Sequence, residues 1–196
     1  MASDHPVFTR AYEVIAALGE RAGLGDLRSR VLAEARGRVL IVGLGPGHDL
    51  DHLPDAVTSV VALEPSASMR EAARTRVHAA TTRGLDIEVL GAPAESIPLP
   101  DASVDAVLVA YVLCSVEDPR AALAEIRRVL SPEGALLVAT PAWRYGHRND
   151  PVYHLDEYRE DELARQLRAC GFEVASTARI KGAYDDIVML ARRRAG

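Results

Sequence analysis

Little in this chain points to a nucleic acid, a membrane or a disulfide scaffold. Its 196 residues include only two cysteines. Cys114 and Cys170 stand far apart without CxxC spacing, which suggests neither a disulfide framework nor a zinc knuckle. Positive charge is in deficit: 23 Lys and Arg face 28 Asp and Glu, a formal net charge of −5. No basic stripe breaks that balance, which argues against a nucleic-acid partner, and Arg192, Arg193 and Arg194 read as a solvated terminus. No apolar run approaches the roughly 20 residues that span a bilayer. The opening MASDHPVFTR lacks the charged-then-apolar layout of a signal peptide, so a soluble cytoplasmic protein is expected. What is present is ordinary for a globular chain, 48% apolar and 26% charged. The length suffices to bury a core.

Short β-rich runs alternate with longer helical patterns, the signature of a parallel sheet with crossover helices. Strands are expected at Arg38–Val42, Ser59–Glu64, Asp86–Gly91, Val104–Ala110, Gly134–Thr140, Phe172–Ile180 and Asp185–Arg192. Helices are expected to start near Gly47, Ser66, Pro119 and Glu160. Ser66 suits an N-cap, and Glu117–Asp118–Pro119 places acids and a proline at a helix start. Ser131–Pro132–Glu133–Gly134 reads as a turn. Upstream, Val7–Ala22 and Leu27–Arg36 are helical in pattern and parted by Gly23–Leu24–Gly25. A single domain is expected, residues 1–36 forming a helical lid on a core of residues 37–196. Between Ala142 and Asp156 the periodicity fails in a long aromatic loop, a feature that in compact domains is functional or disordered. The last two strands read as an antiparallel hairpin at the sheet edge, where a Rossmann dehydrogenase places another βαβ unit.

The segment VLIVGLGPG, from Val39 to Gly47, carries the most chemistry. VVALEPS follows it, with Glu64 closing the second apolar run. Gly43, Gly45 and Gly47 remove side chains that hold a backbone away from a ligand. The turn is expected to offer N–H groups at a helix N-terminus, and Glu64 to accept hydrogen bonds from two ribose hydroxyls. Strand, glycine turn, helix and acid-tipped strand together read as a nucleoside-binding βαβ unit. The plain alternative is a tight turn with no ligand. A dinucleotide fingerprint needs glycine at position 48, where His48 stands, which disfavours NAD.

In these residues the chain resembles the class I S-adenosylmethionine-dependent methyltransferases. VLIVGLGPG is similar to their first motif and LEPS to their second. GAPAESIPLPDASVDAVLVAYVLCSV resembles the stretch from the adenine site through the fourth strand. RRVLSPEGALLVAT and LDEYREDELARQLRACGFEV resemble the fifth strand and the late helix. The local likeness is to the ubiquinone and menaquinone biosynthesis and small thiol methyltransferase branches, through LCSV and FTRAYE. The resemblance implies a three-layer α/β/α Rossmann-like fold, its seven-stranded sheet mostly parallel with the last strand antiparallel. It implies S-adenosyl-L-methionine at the strands' C-terminal ends, where open α/β sheets bind ligands. Two positions depart from the pattern: Ile41 stands where the family has an acid near the first glycine, and Pro93 replaces the adenine-side acid. Asp49 or backbone carbonyls are expected to serve in place of the first, the Ala94 backbone and Glu95 in place of the second.

The expected cofactor-binding set is therefore Gly43, Leu44, Gly45, Gly47, Asp49, Glu64, Pro65, Ala94, Glu95 and Tyr111. Asp49 reads as a helix-start acid facing the methionine end of the cofactor. His48 and His52 stand four apart, a metal-like spacing, but no third ligand is near and a surface pair is the favoured reading, with no metal. Methyl transfer from a sulfonium asks mainly for alignment of donor and acceptor. Should a base be needed, His154 in the irregular loop or Tyr111 is the candidate. Tyr145, Tyr153 and Trp143 share that loop, and Tyr12 on the first helix is a candidate lid residue. Tyr111 and Ser115 read as pocket walls, while Cys114 and Cys170 read as packing. The function implied is methyl transfer to a small molecule by in-line displacement. The rivals are an NAD-dependent oxidoreductase and a non-catalytic binding protein that keeps the fold.

Overall fold

The computed structural model describes residue 9 and residues 16–141, 159–181 and 185–194. Seven strands form one sheet: β1 (Gly37–Val42), β2 (Val57–Leu63), β3 (Asp86–Leu90), β4 (Val104–Ala110), β5 (Leu130–Pro141), β6 (Phe172–Lys181) and β7 (Asp185–Arg193). The α-helices with bounds among the described residues are α1 (Gly25–Leu32), α2 (Ala67–Thr82), α3 (Pro119–Val129) and α4 (Glu160–Ala169). The strand order is β3-β2-β1-β4-β5-β7-β6. The pairings from β3 to β5 are parallel, and β7 runs antiparallel to both of its neighbours. The terminal hairpin thus has a twist that linear reading does not reveal: the last strand inserts between β5 and β6, leaving β6 at the edge.

Strand parity builds the three layers, because successive side chains leave a strand on opposite faces. Leu40, Val42, Val107, Val109, Leu136 and Val138 pack with Leu123 and Ile126 of α3, Leu163 and Leu167 of α4, and Phe172. Val39, Ile41, Leu108, Leu137 and Ala139 face the other way, onto Leu27, Val31 and Leu32 of α1 and Ala73 and Ala80 of α2. Both faces are covered, which is why the central strands read as continuous apolar runs rather than alternating ones.

The helix starts follow the expected capping chemistry. Ser66 Oγ accepts from the Met69 N–H at 3.3 Å. Asp118 Oδ1 accepts from the Arg120 and Ala121 N–H groups at 2.9 and 3.1 Å, with Pro119 opening α3. Strand β5 already begins at Leu130, and the turn expected at residues 131–134 is instead a register irregularity within it, between the Val104–Leu130 and Ala106–Ala135 pairs.

A second expectation fails. No α-helix follows the glycine turn; a single 3-10 turn, His48–His52, leads to an extended Leu53. Pro54 explains the stop, because the residue before a proline is driven out of helical geometry. Helix α2 staples this short turn instead: Arg76 Nη1 donates to the Pro46 carbonyl at 3.2 Å, and Arg83 Nη2 to the Leu50 carbonyl at 3.1 Å.

Candidate active site

The sheet order reverses between β1 and β4, and that switch point opens a crevice at the strands' C-terminal ends. The glycine loop leaves β1 there. Gly43 and Leu44 both donate to the Leu63 carbonyl at 2.9 Å, turning the chain across β2. Gly43 has φ 74°, and a Cβ on it would stand 2.5 Å from Val112 Cγ2, so any side chain collides. Gly45 differs: its φ is 53°, yet a Cβ would meet no described residue within 4 Å. The backbone there borders space that the described residues leave open.

Glu64, 8% exposed at the tip of β2, ties the loop down. Its Oε2 accepts from the Gly45 N–H at 2.8 Å and its Oε1 from the Ser66 N–H at 3.0 Å. Each carboxylate oxygen has more than one lone pair, so acceptor capacity remains for a sugar diol. Beside it, Arg70 Nη1 donates to the carbonyls of Glu64 and Pro65 at 2.7 and 2.9 Å. Open space over Gly45 next to a loop-anchored carboxylate fits a nucleoside cofactor.

A buried polar cluster joins the 3-10 turn to α1. Asp49 is buried at 5% and comes from the 3-10 turn. It receives Arg28 Nη1 of α1 at 2.5 Å, while Arg28 Nε reaches Glu20 at 2.7 Å. Burial alone would lower the Arg28 guanidinium, but Asp49 and Glu20 outweigh it and hold the charge on. The guanidinium lies 6.0 Å from the Tyr111 ring centroid, within cation–π range. His52 joins the same clip through Ser29 at 3.0 Å and Glu20 at 3.4 Å. His48 is buried, and its ring is pushed below the ordinary histidine range, first by burial and then by Arg76. The surface pair expected from their spacing is thus corrected: His48 is buried, and only His52 keeps partial exposure.

Tyr111 ends β4 in a left-handed backbone conformation, φ 58°. Its hydroxyl donates to Asp186 of β7 at 3.0 Å. Burial, and after it the Asp186 charge, push the phenol well above its usual range, so it stays protonated. Tyr111 is thus a neutral wall of the crevice and chemically unsuited to act as a base. A small niche lies between Tyr111, Arg28, Asp49, Leu108 and Ala139.

The remaining expected residues sit nearby in other roles. Ala94 is buried. Glu95 Oε1 accepts from the Glu117 and Asp118 N–H groups at 2.8 and 3.2 Å, tethering the β3–β4 connection to the start of α3. Ser115 Oγ turns back to the Val112 carbonyl at 2.8 Å, and Cys114 Sγ lies 3.7 Å from the Tyr111 carbonyl. Cys170 is half-buried against the larger core. His154, Tyr12, Trp143, Tyr145 and Tyr153 lie outside the described residues. Sequence reading missed Arg28, Arg70 and Asp186, because no local spacing links them to the glycine loop.

A family model described as a methyltransferase domain matches residues 40–138, from β1 through β5. The chain belongs to the S-adenosylmethionine-dependent methyltransferases. The chain is 33% identical over 144 residues to a protein of Mycolicibacterium smegmatis named a probable S-adenosylmethionine-dependent methyltransferase, covering 71% of this chain and 53% of that one. It is 37% identical over 102 residues to the demethylmenaquinone methyltransferase of Renibacterium salmoninarum, covering 52% of this chain and 40% of that one. The chain thus spans about half or less of the length of these curated relatives. Among solved structures, it superposes on the Burkholderia thailandensis 1,6-didemethyltoxoflavin-N1-methyltransferase, which holds 1,6-didemethyltoxoflavin and S-adenosylhomocysteine. The TM-score is 0.74 at 20% identity, covering 96% of this chain and 86% of that one. At that identity the likeness shows the fold. Among the described residues of the methyltransferase, no helix is long and apolar enough to cross a membrane.

Proposed function

We propose that this chain transfers a methyl group from S-adenosylmethionine to a small-molecule acceptor in the crevice between β1 and β4. The observation that carries the reading is Glu64. It is buried at the β2 tip and bonded to the Gly45 N–H at 2.8 Å, beside space that no described residue fills. The cofactor supplies an activated methyl group on a sulfonium, with a neutral thioether as leaving group. The chain's own residues then bind and align. Gly43, Leu44, Gly45 and Gly47 bring the backbone close, Glu64 and Pro65 seat the sugar, and Ala94 and Glu95 border the base. Asp49, charged and held by Arg28, stands in for the acid that Ile41 displaces. Tyr111 closes the acceptor side and orients rather than deprotonates. His154 remains the candidate base for an acceptor that needs one.

The Arg28–Asp49 and His52–Glu20 contacts support residues 1–36 as a cap on the crevice. The acidic balance of the chain favours a small acceptor over RNA. Thermal shift tests the cofactor. S-adenosylhomocysteine at a hundred times its dissociation constant adds about 2.7 kcal/mol, roughly 5–10 °C for a chain this size. A shift with S-adenosylhomocysteine and none with NAD is expected. The reverse would replace methyl transfer with the dehydrogenase reading, and no shift with either would leave a binding protein that lost its ligand with Ile41 and Pro93.

A further inference from the structure

We infer that Arg70 is the base-recognition residue of the cofactor site, taking the place of the acid that Pro93 lacks. The inference rests on the cofactor reading above and adds a residue to it.

The sheet order β3-β2-β1-β4 sets the direction of the ligand. A nucleoside seated on Glu64, with its sulfur end toward Tyr111 on β4, extends its base past β2 and over the exit of β3. Arg70 of α2 occupies that position. Its Nη1 is fixed by the Glu64 and Pro65 carbonyls at 2.7 and 2.9 Å, one bond for each of its two hydrogens. Among the described residues, Nε and Nη2 donate to nothing. The guanidinium is thus held by one corner, and no described residue takes its other two donor groups.

A second observation concerns the residue at the β3 exit. A Cβ built on Gly91 would lie 3.1 Å from Arg70 Nη1, 3.3 Å from Cζ and 3.6 Å from Nη2. All three guanidinium atoms crowd this one position, so the group lies directly over it. Gly91 does not occupy the left-handed region, so backbone conformation gives no reason for glycine. Room for the guanidinium does. Pro65 and Gly91 are both exposed, leaving the slot between them open to solvent.

A flat cation with free N–H donors suits an electron-rich heteroaromatic ring, which it can meet by stacking and by bonds to ring nitrogens. An acid in the same place recognises adenine by accepting from its exocyclic amine. Arg70 offers the opposite polarity and addresses the acceptor nitrogens of the purine.

Titration calorimetry on the full chain tests this with S-adenosylhomocysteine and, by competition, with base-free S-ribosylhomocysteine. Arg70→Ala is expected to weaken the adenosyl ligand about five- to thirtyfold and to leave the ribosyl ligand unchanged. Gly91→Ala, which keeps the arginine but pushes it aside, should act in the same direction and serves if Arg70→Ala folds poorly. Arg70→Lys should not restore affinity, because an ammonium lacks the plane. Unchanged adenosyl affinity in both variants overturns the inference, as does an equal loss for both ligands, which would make Arg70 a brace for Glu64. A wild-type chain that binds no S-adenosylhomocysteine would overturn the cofactor reading and this inference with it.

Discussion

In the proposed function, Glu64 serves fold and ligand together. Its two oxygens hold Gly45 and Ser66, the residues on either side of the space a sugar would fill. Glu64→Gln keeps the volume but turns an amide N–H₂ toward one of those donors. Bonds to a charged acceptor contribute about 1.5–3 kcal/mol, so S-adenosylhomocysteine affinity should fall roughly tenfold to a hundredfold, as calorimetry would read. His48 is a titration marker for the same loop. Its folded pKa lies below the ordinary 6.5, so the folded chain binds fewer protons than the unfolded one between the two values. Stability linked to His48 is therefore complete above that range and is lost as pH falls through about 6.5, levelling off below the folded pKa. Melting temperatures from pH 8 to pH 5.5 should drop more steeply for the wild type than for His48→Gln.

At the scale of elements, helix α1 is fastened to the 3-10 turn by charge. Arg28 and Asp49 are nearly buried, their side chains 11% and 7% exposed. Removing one partner of such a pair strands the other, at about 3–5 kcal/mol. Arg28→Met keeps the aliphatic stem and should destabilise by that order in urea denaturation. Adding Asp49→Asn should recover part of the loss, since the stranded charge goes with it. Full additivity of the two changes would show that the ion pair is not what joins these elements. The same clip explains how the chain manages without an α-helix after its glycine loop. Charges from α1, with Arg76 and Arg83 from α2, hold a turn that has too few residues to hold itself.

For the whole molecule, the position of β7 matters most. It is the last strand in sequence, yet it pairs with both β5 and β6 inside the sheet. It also brings Asp186 to Tyr111. A chain ending after Lys181 would lose a central strand rather than an edge, stranding β6 and uncovering the Ile187, Met189 and Ala191 side of the core. Such a truncation should yield no cooperative unfolding transition by circular dichroism. A truncated chain that melts cooperatively would mean that the sheet closes without β7.

The strands and most helix starts were legible in the linear pattern, because buried parallel strands are continuous apolar runs and the caps at Ser66 and Asp118 are local chemistry. The glycine loop and Glu64 were legible for the same reason: they lie within one βαβ-length segment. Only the tertiary structure decided the rest. It replaced the expected helix with a 3-10 turn stapled from α2, and it set Asp49 against Arg28. It also put the protonated Tyr111 against Asp186, 75 residues away. Those contacts join elements distant along the chain, and which side chains meet there depends on sheet order and packing, which residue spacing does not encode.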